Sequence, residues 1–156
     1  FASAMTLLGY NDGADHSGGA SYFELAELLI RQGAEPDLDL RELWRRIVFS
    51  IAIRNTDDHL RNHGFLLTPG GWRLSPAFDL NADPDGYGLS LNITETDNSL
   101  DFEVAREVAE YFRLEPRDAN RVLDQVKQAV ARWRETASEL GISRSEQEAM
   151  EVAFRS

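Results

Sequence analysis

Within twelve residues the stretch RNTDDHLRNHGF, at 54–65, holds two adjacent carboxylates, two histidines, two asparagines and two arginines, and it follows at once on the apolar run FSIAI at 49–53. Phosphoryl transfer from ATP asks for such groups: a carboxylate to take the proton of the acceptor hydroxyl, and oxygen ligands to hold magnesium. In the catalytic loop of protein kinases an aspartate base precedes a metal-binding asparagine by five positions. Asp57 and Asn62 have that spacing, and Asp79, in SPAFDL, offers a second oxygen ligand from a separate segment. Taken alone the spacing is weak, because Asp and Asn are common turn residues.

What gives it weight is the set of elements around it. Leu40, Leu43, Trp44, Ile47, Val48 and Ile51 recur at helical spacing, with Asp39 and Glu42 read as a capping box, so a core helix delivers residue 54 to a fixed place. After Asn62, Phe65 and Leu67 alternate on one side of TPGG, and Trp72 and Leu74 on the other, which is hairpin chemistry. Two antiparallel strands bring the chain back to its origin, so residues 57–62 and Asp79 are expected to converge. Ser21 and Glu24 cap an earlier helix that runs to about Gly33. LSLNI at 89–93 adds a short strand, and Phe102, Ala105, Ala109 and Phe112 mark a further helix. Pro116 opens a long helix with its stripe running to Leu140, and Ser143 and Glu146 cap a last one with Ala149, Val152 and Ala153 inward.

NTDDHLRNHGFLL followed by GGWRLSPAFDL resembles the HipA family of bacterial toxin Ser/Thr kinases, and the resemblance runs from SAMTLLG to the C-terminal helices. It implies an α+β, mostly α-helical fold: the C-terminal lobe of a kinase-related protein with a central β-hairpin, residues 1–156 forming one domain. On the family's motif Asp57 is the catalytic base, Asn62 and Asp79 are the magnesium ligands, and His59 is the loop histidine that supports them. Arg61 stands where the family often has Lys, which keeps the positive charge near the phosphates but replaces a point charge by a planar fork. The implied activity is Mg- and ATP-dependent phosphorylation of a protein Ser or Thr, on aminoacyl-tRNA synthetases in some members, restrained by a small DNA-binding antitoxin.

The nucleotide-gripping N-terminal lobe is expected from elsewhere, in cis or in trans. The chain opens on Phe1 rather than Met, as a piece of a longer protein would. The one lysine, Lys127, lies on a downstream helix stripe rather than where it could hold phosphates, and GADHSGGAS at 13–21 has Gly19 in place of a phosphate-loop lysine, so it reads as a flexible connector. The chain alone is therefore expected to bind Mg-ATP weakly.

Other readings of single residues are blander. Asp58 either tunes Asp57 or, preferably, caps the short turn; His63 reads as a surface residue; Arg45 and Arg46 read as a solvated face. His59 and His63, four apart, form the weak case for a zinc hydrolase, which lacks the H-E-x-x-H pattern. A net charge of -11 argues against direct nucleic-acid binding, no stretch approaches a membrane span, and the lack of Cys excludes a disulfide framework, so a cytoplasmic location is expected. The remaining rivals are a non-catalytic module that docks an antitoxin or regulator, and a small-molecule phosphotransferase.

Overall fold

The longest helix becomes the axis of the molecule. The computed structural model, which describes residues 1–155, opens with strand β1 (Ala2–Ser3) and helix α1 (Ala4–Leu8), followed by α2 (Tyr22–Gln32) and α3 (Pro36–Ile53). A hairpin of β2 (Gly64–Thr68) and β3 (Gly71–Leu74) comes next, then α4 (Phe102–Glu107), α5 (Pro116–Ala131), α6 (Trp133–Glu139) and α7 (Arg144–Met150). The fold is α+β and mainly helical, as the sequence implies.

Helix α3 packs against α2, α4 and α5. Its six stripe residues are each 1% exposed or less, so the periodicity reports a true core face; each large side chain buried this way stabilises the fold by roughly 1.5–3 kcal/mol. Trp44 spends its polar edge on α4, where Nε1 donates to the Ala105 carbonyl at 2.8 Å. The sheet has the order β1-β2-β3, all antiparallel, with Phe65 opposite Leu74 and Leu67 opposite Trp72. Phe65 is buried, whereas Leu67, two pairs nearer the turn, is exposed.

Several expectations give way to tertiary contacts. The Ser21–Glu24 and Ser143–Glu146 capping boxes form, but the one expected at Asp39 and Glu42 does not. Pro36 starts α3 one turn earlier, with its ring already set for a first helical position. Asp39 is then free to bolt β3 to α3: its carboxylate accepts from Arg73 Nε at 2.8 Å, Arg73 Nη2 at 3.1 Å and the Leu74 amide at 3.1 Å. Strand β1 escapes sequence reading because two residues carry no period. Residues 89–93 form no ladder; Leu89, Leu91 and Ile93 are buried, but the backbone nearby makes only single bridges, Ser21 to Asn92 and Gly88 to Ser99.

The stripe from 116 to 140 is broken at Arg132, and the helix from 102 ends at Glu107, continuing as a 3-10 turn over Ala109–Phe112. Of the three residues expected inward here, only Ala153 is buried, while Ala149 and Val152 are exposed. Arg45 lies in solvent as expected, but Arg46 is buried, with Nη2 on the Ser75 carbonyl at 2.6 Å and Nε on Glu42 at 3.1 Å. Nor is 13–21 a loose connector. The Asp15 carboxylate accepts from the Ser17 amide and hydroxyl, and the His16 amide donates to the Ser90 carbonyl at 2.7 Å.

Candidate active site

Helix α3 ends because Arg54 turns left-handed, with φ of 50°, and its amide closes back on Ile51. The chain then leaves the helix axis at the loop of interest. Leu60, 2% exposed, pins the middle of that loop into the core, and a 3-10 turn over Leu60–Asn62 tightens it. Asn62 Nδ2 donates to the Asp57 backbone carbonyl at 3.0 Å. The amide is thus oriented, and no protein group donates to its Oδ1 among the described residues. The Asp57 side chain is 71% exposed, with His59 Nε2 3.8 Å from its Oδ1. His59 Nε2 lies 3.2 Å from Arg61 Nη2, and Arg61 pairs with Asp12 across a small cavity of about 170 Å³ between residues 11–15 and 59–61.

Four of the five residues singled out in the sequence therefore form one connected loop. Asp79 stands on a different segment and makes no hydrogen bond to any of the four. It is exposed, its backbone is left-handed with φ of 54°, and its Oδ1 accepts from Asn81 Nδ2 at 2.8 Å. Non-glycine residues in that conformation carry strain that surrounding structure must hold, and they concentrate at functional sites. The holding is visible just downstream. The Asp83 amide donates to the Arg54 carbonyl at 3.2 Å, Arg54 Nη1 to the Pro84 carbonyl at 3.1 Å, and Thr56 Oγ1 to Asp83 Oδ2 at 2.9 Å. Residues 54–56 thus stitch the segment after Asp79 to the first turn of the loop.

Directly beneath lies a polar cluster that the sequence reading assigned elsewhere. Asp58 does not cap the turn but points into the core; it is 2% exposed and accepts from the Tyr22 hydroxyl at 2.6 Å and the Ser50 hydroxyl at 3.3 Å. His63, expected at the surface, is 1% exposed, with Nε2 3.1 Å from Asp58 Oδ1 and its ring edge-on to Tyr22. The contact is close but does not meet hydrogen-bond geometry. Burial pushes the Asp58 carboxyl up, but His63 and the two hydroxyl donors outweigh it and hold the group below the usual carboxylate range. Burial, then the Asp58 charge, pushes Tyr22 well above the ordinary phenol value. The sequence did carry a signal: Ser50 interrupts an apolar face of α3, and Tyr22 opens α2 on its buried side.

The two histidines diverge, one toward Arg61 and the other into the core, and among the described residues no group of three His, Asp or Glu side chains is arranged for a metal. That geometry does not suit zinc. A hard cation needing few protein ligands is a different case: a free amide oxygen on Asn62 and an exposed carboxylate on Asp79 are the donor types magnesium takes, with water and phosphate oxygens completing its shell. Lys127 takes no part, because its ammonium lies over the Phe102 ring, 4.9 Å from the centroid.

Comparison with known proteins follows the same residues. The model of the HipA-like C-terminal domain matches residues 1–133, which include the loop, the hairpin and Asp79. A Sinorhizobium fredii protein named "Putative kinase Y4mE" is 29% identical over 135 residues, covering 80% of this chain and 32% of its own length. A Haemophilus influenzae protein named "Putative kinase" is 31% identical over 68 residues, covering 43% of this chain and 20% of its own. The chain thus spans a third or less of these curated relatives. In fold it is similar to a chain of the Shewanella oneidensis MR-1 toxin–antitoxin complex of HipA, HipB and operator DNA, with a TM-score of 0.73 at 18% identity over 95% of this chain and 39% of that one. The loop that the chemistry singles out lies wholly inside the matched region, and the chain belongs to the HipA-like C-terminal domain family.

Proposed function

We propose that this domain carries the base and the metal ligands of a protein Ser/Thr kinase of the HipA type that uses Mg-ATP. The observation that carries the reading is the Asn62–Asp57 bond, which orients an amide oxygen and leaves the neighbouring carboxylate open to solvent at one mouth. Asp57 would accept the proton of an incoming hydroxyl, the role of the aspartate in a kinase catalytic loop. His59 supports that carboxylate from the side, and Arg61 brings positive charge to the same rim. Asn62 and Asp79 would hold magnesium, which when bound neutralises charge developing on the phosphates.

Residues 1–156 serve in this reading as one catalytic domain, with the nucleotide-gripping lobe supplied by a further segment or a partner chain. The protein substrate, an aminoacyl-tRNA synthetase among the candidates, and a small DNA-binding antitoxin would be its partners; the similar Shewanella protein is found with HipB and operator DNA. A net charge of -11 disfavours direct contact of this domain with nucleic acid. Among the described residues no helix is long and apolar enough to cross a membrane, and a cytoplasmic location is part of the proposal.

The test is transfer from γ-labelled ATP by the full-length protein to a proteome extract, with and without a chelator. Labelled phosphoserine or phosphothreonine that disappears on chelation is the expected result. Label on a small molecule alone would make the domain a small-molecule phosphotransferase, and ligand-free binding of an antitoxin without any transfer would make it a docking module.

A further inference from the structure

Asp79 is exposed and has a left-handed backbone, yet its carboxylate makes no hydrogen bond to the loop it is meant to serve, so something else must set its place. From the hydrogen bonds around it we infer that Asn55 is a positioning residue, which fixes Asp79 relative to Asp57 and Asn62 through Asn81. The inference rests on the kinase reading above and deepens it.

Asn55 is fully buried, and a buried amide with both ends engaged is a rigid coupling. Its Nδ2 donates to Ser50 Oγ at 3.4 Å, and its own amide donates to the Ser50 carbonyl at 2.8 Å, so it is tied to the last turns of α3. Ser50 in turn donates to Asp58, the neighbour of Asp57 in the chain. At the other end, Asn55 Oδ1 accepts the backbone amide of Asn81 at 3.3 Å, and Asn81 Nδ2 donates to the Asp79 carboxylate at 2.8 Å. One side chain, two residues before the candidate base, thereby reaches the second candidate ligand in two hydrogen bonds. The bond to Asp79 also fixes which carboxylate oxygen stays free, since Oδ1 is occupied by Asn81.

Asp cannot replace Asn55 in this role. A carboxylate would still accept from Asn81, but it would lose the donor to Ser50 and bury a charge. Groups that orient metal ligands are typically worth 10- to 100-fold in metal affinity when removed.

The experiment uses isotopically labelled full-length protein with trace Mn2+ as a paramagnetic probe, read by NMR, beside the magnesium dependence of phosphate transfer. In the wild type, amide signals of residues 57–62 and of 79–81 should broaden together. Asn55→Ala should keep broadening at 57–62 and lose it at 79–81, with the magnesium concentration for half-maximal transfer raised about 10-fold and the rate recovering as magnesium saturates. Because Asn55 is buried and its loss can unfold the chain, Asn81→Ala, at an exposed position, serves as the second variant and should give the same split. Equal broadening of both segments in Asn81→Ala, with an unchanged magnesium requirement, would overturn the relay while leaving the kinase reading intact. No broadening of either segment in the wild type would overturn the metal reading and the relay with it.

Discussion

Asn62 is bonded through its side-chain Nδ2 to the backbone oxygen of Asp57 at 3.0 Å, so the two residues of the five-position spacing are locked as one unit. The lock runs through the backbone of Asp57 and leaves its carboxylate free. On the proposed kinase reading this separates two jobs that a substitution can take apart: holding the loop and moving the proton.

Asp57→Asn keeps the loop bond, which uses the main chain, and removes only the basic oxygen. If the proposed kinase reading holds, turnover of the full-length protein should fall by at least ~100-fold, as loss of a general base implies, while nucleotide binding is largely kept. Parallel transfer and fluorescent-nucleotide binding assays check this. A comparable loss in both would mean that Asp57 binds rather than catalyses.

Asn62→Ala removes the lock and the amide oxygen together. It should raise the magnesium requirement by about 10-fold or more and increase hydrogen exchange at residues 57–62. Unchanged exchange would show that Leu60 alone pins the loop.

Asp79→Asn should leave the fold intact, because the position is exposed and Asn adopts the left-handed backbone as readily as Asp. The melting temperature should stay within about 2 °C, while transfer is lost. A large drop in melting temperature would instead mark Asp79 as a structural turn residue.

The Tyr22–Asp58–His63 cluster should behave in the opposite way, through stability. Asp58→Ala strands the Tyr22 hydroxyl and His63 inside the core, at a cost of roughly 3–5 kcal/mol, whereas Tyr22→Phe should cost roughly 1–3 kcal/mol. Urea unfolding of each variant measures both. The pH dependence follows from the same contacts. The folded Asp58 carboxyl is held below the usual range against its own burial, so its contribution is fully present above about pH 4 and is lost as pH falls through the folded value. Tyr22, raised by burial and then by Asp58, contributes fully below roughly pH 10 and loses that contribution as pH rises. Asp58→Asn should therefore flatten the acid limb of the stability curve, and equal acid slopes in variant and wild type would count against the cluster.

Local patterns in the sequence were enough for what depends on near neighbours. The α3 stripe, the hairpin across TPGG and two capping boxes follow from spacings of two to four residues, and the structure has them. The Asp57 to Asn62 spacing belongs to the same class, since five residues in a tight turn meet wherever the turn is placed. What spacing did not reveal is where polar groups go once distant segments pack. Asp39 left its expected cap for Arg73, 34 residues away, Asp58 left its expected turn for Tyr22, and His63 left the surface for Asp58. A buried charge is set by whichever partners the fold brings to it, because desolvation is severe unless a complementary group is at hand. The sequence alone thus determined which side chains could do chemistry and which helix delivers them; only the tertiary structure decided that Asn55 ties Asp79 to that helix, because the tie joins groups 26 residues apart through one buried amide.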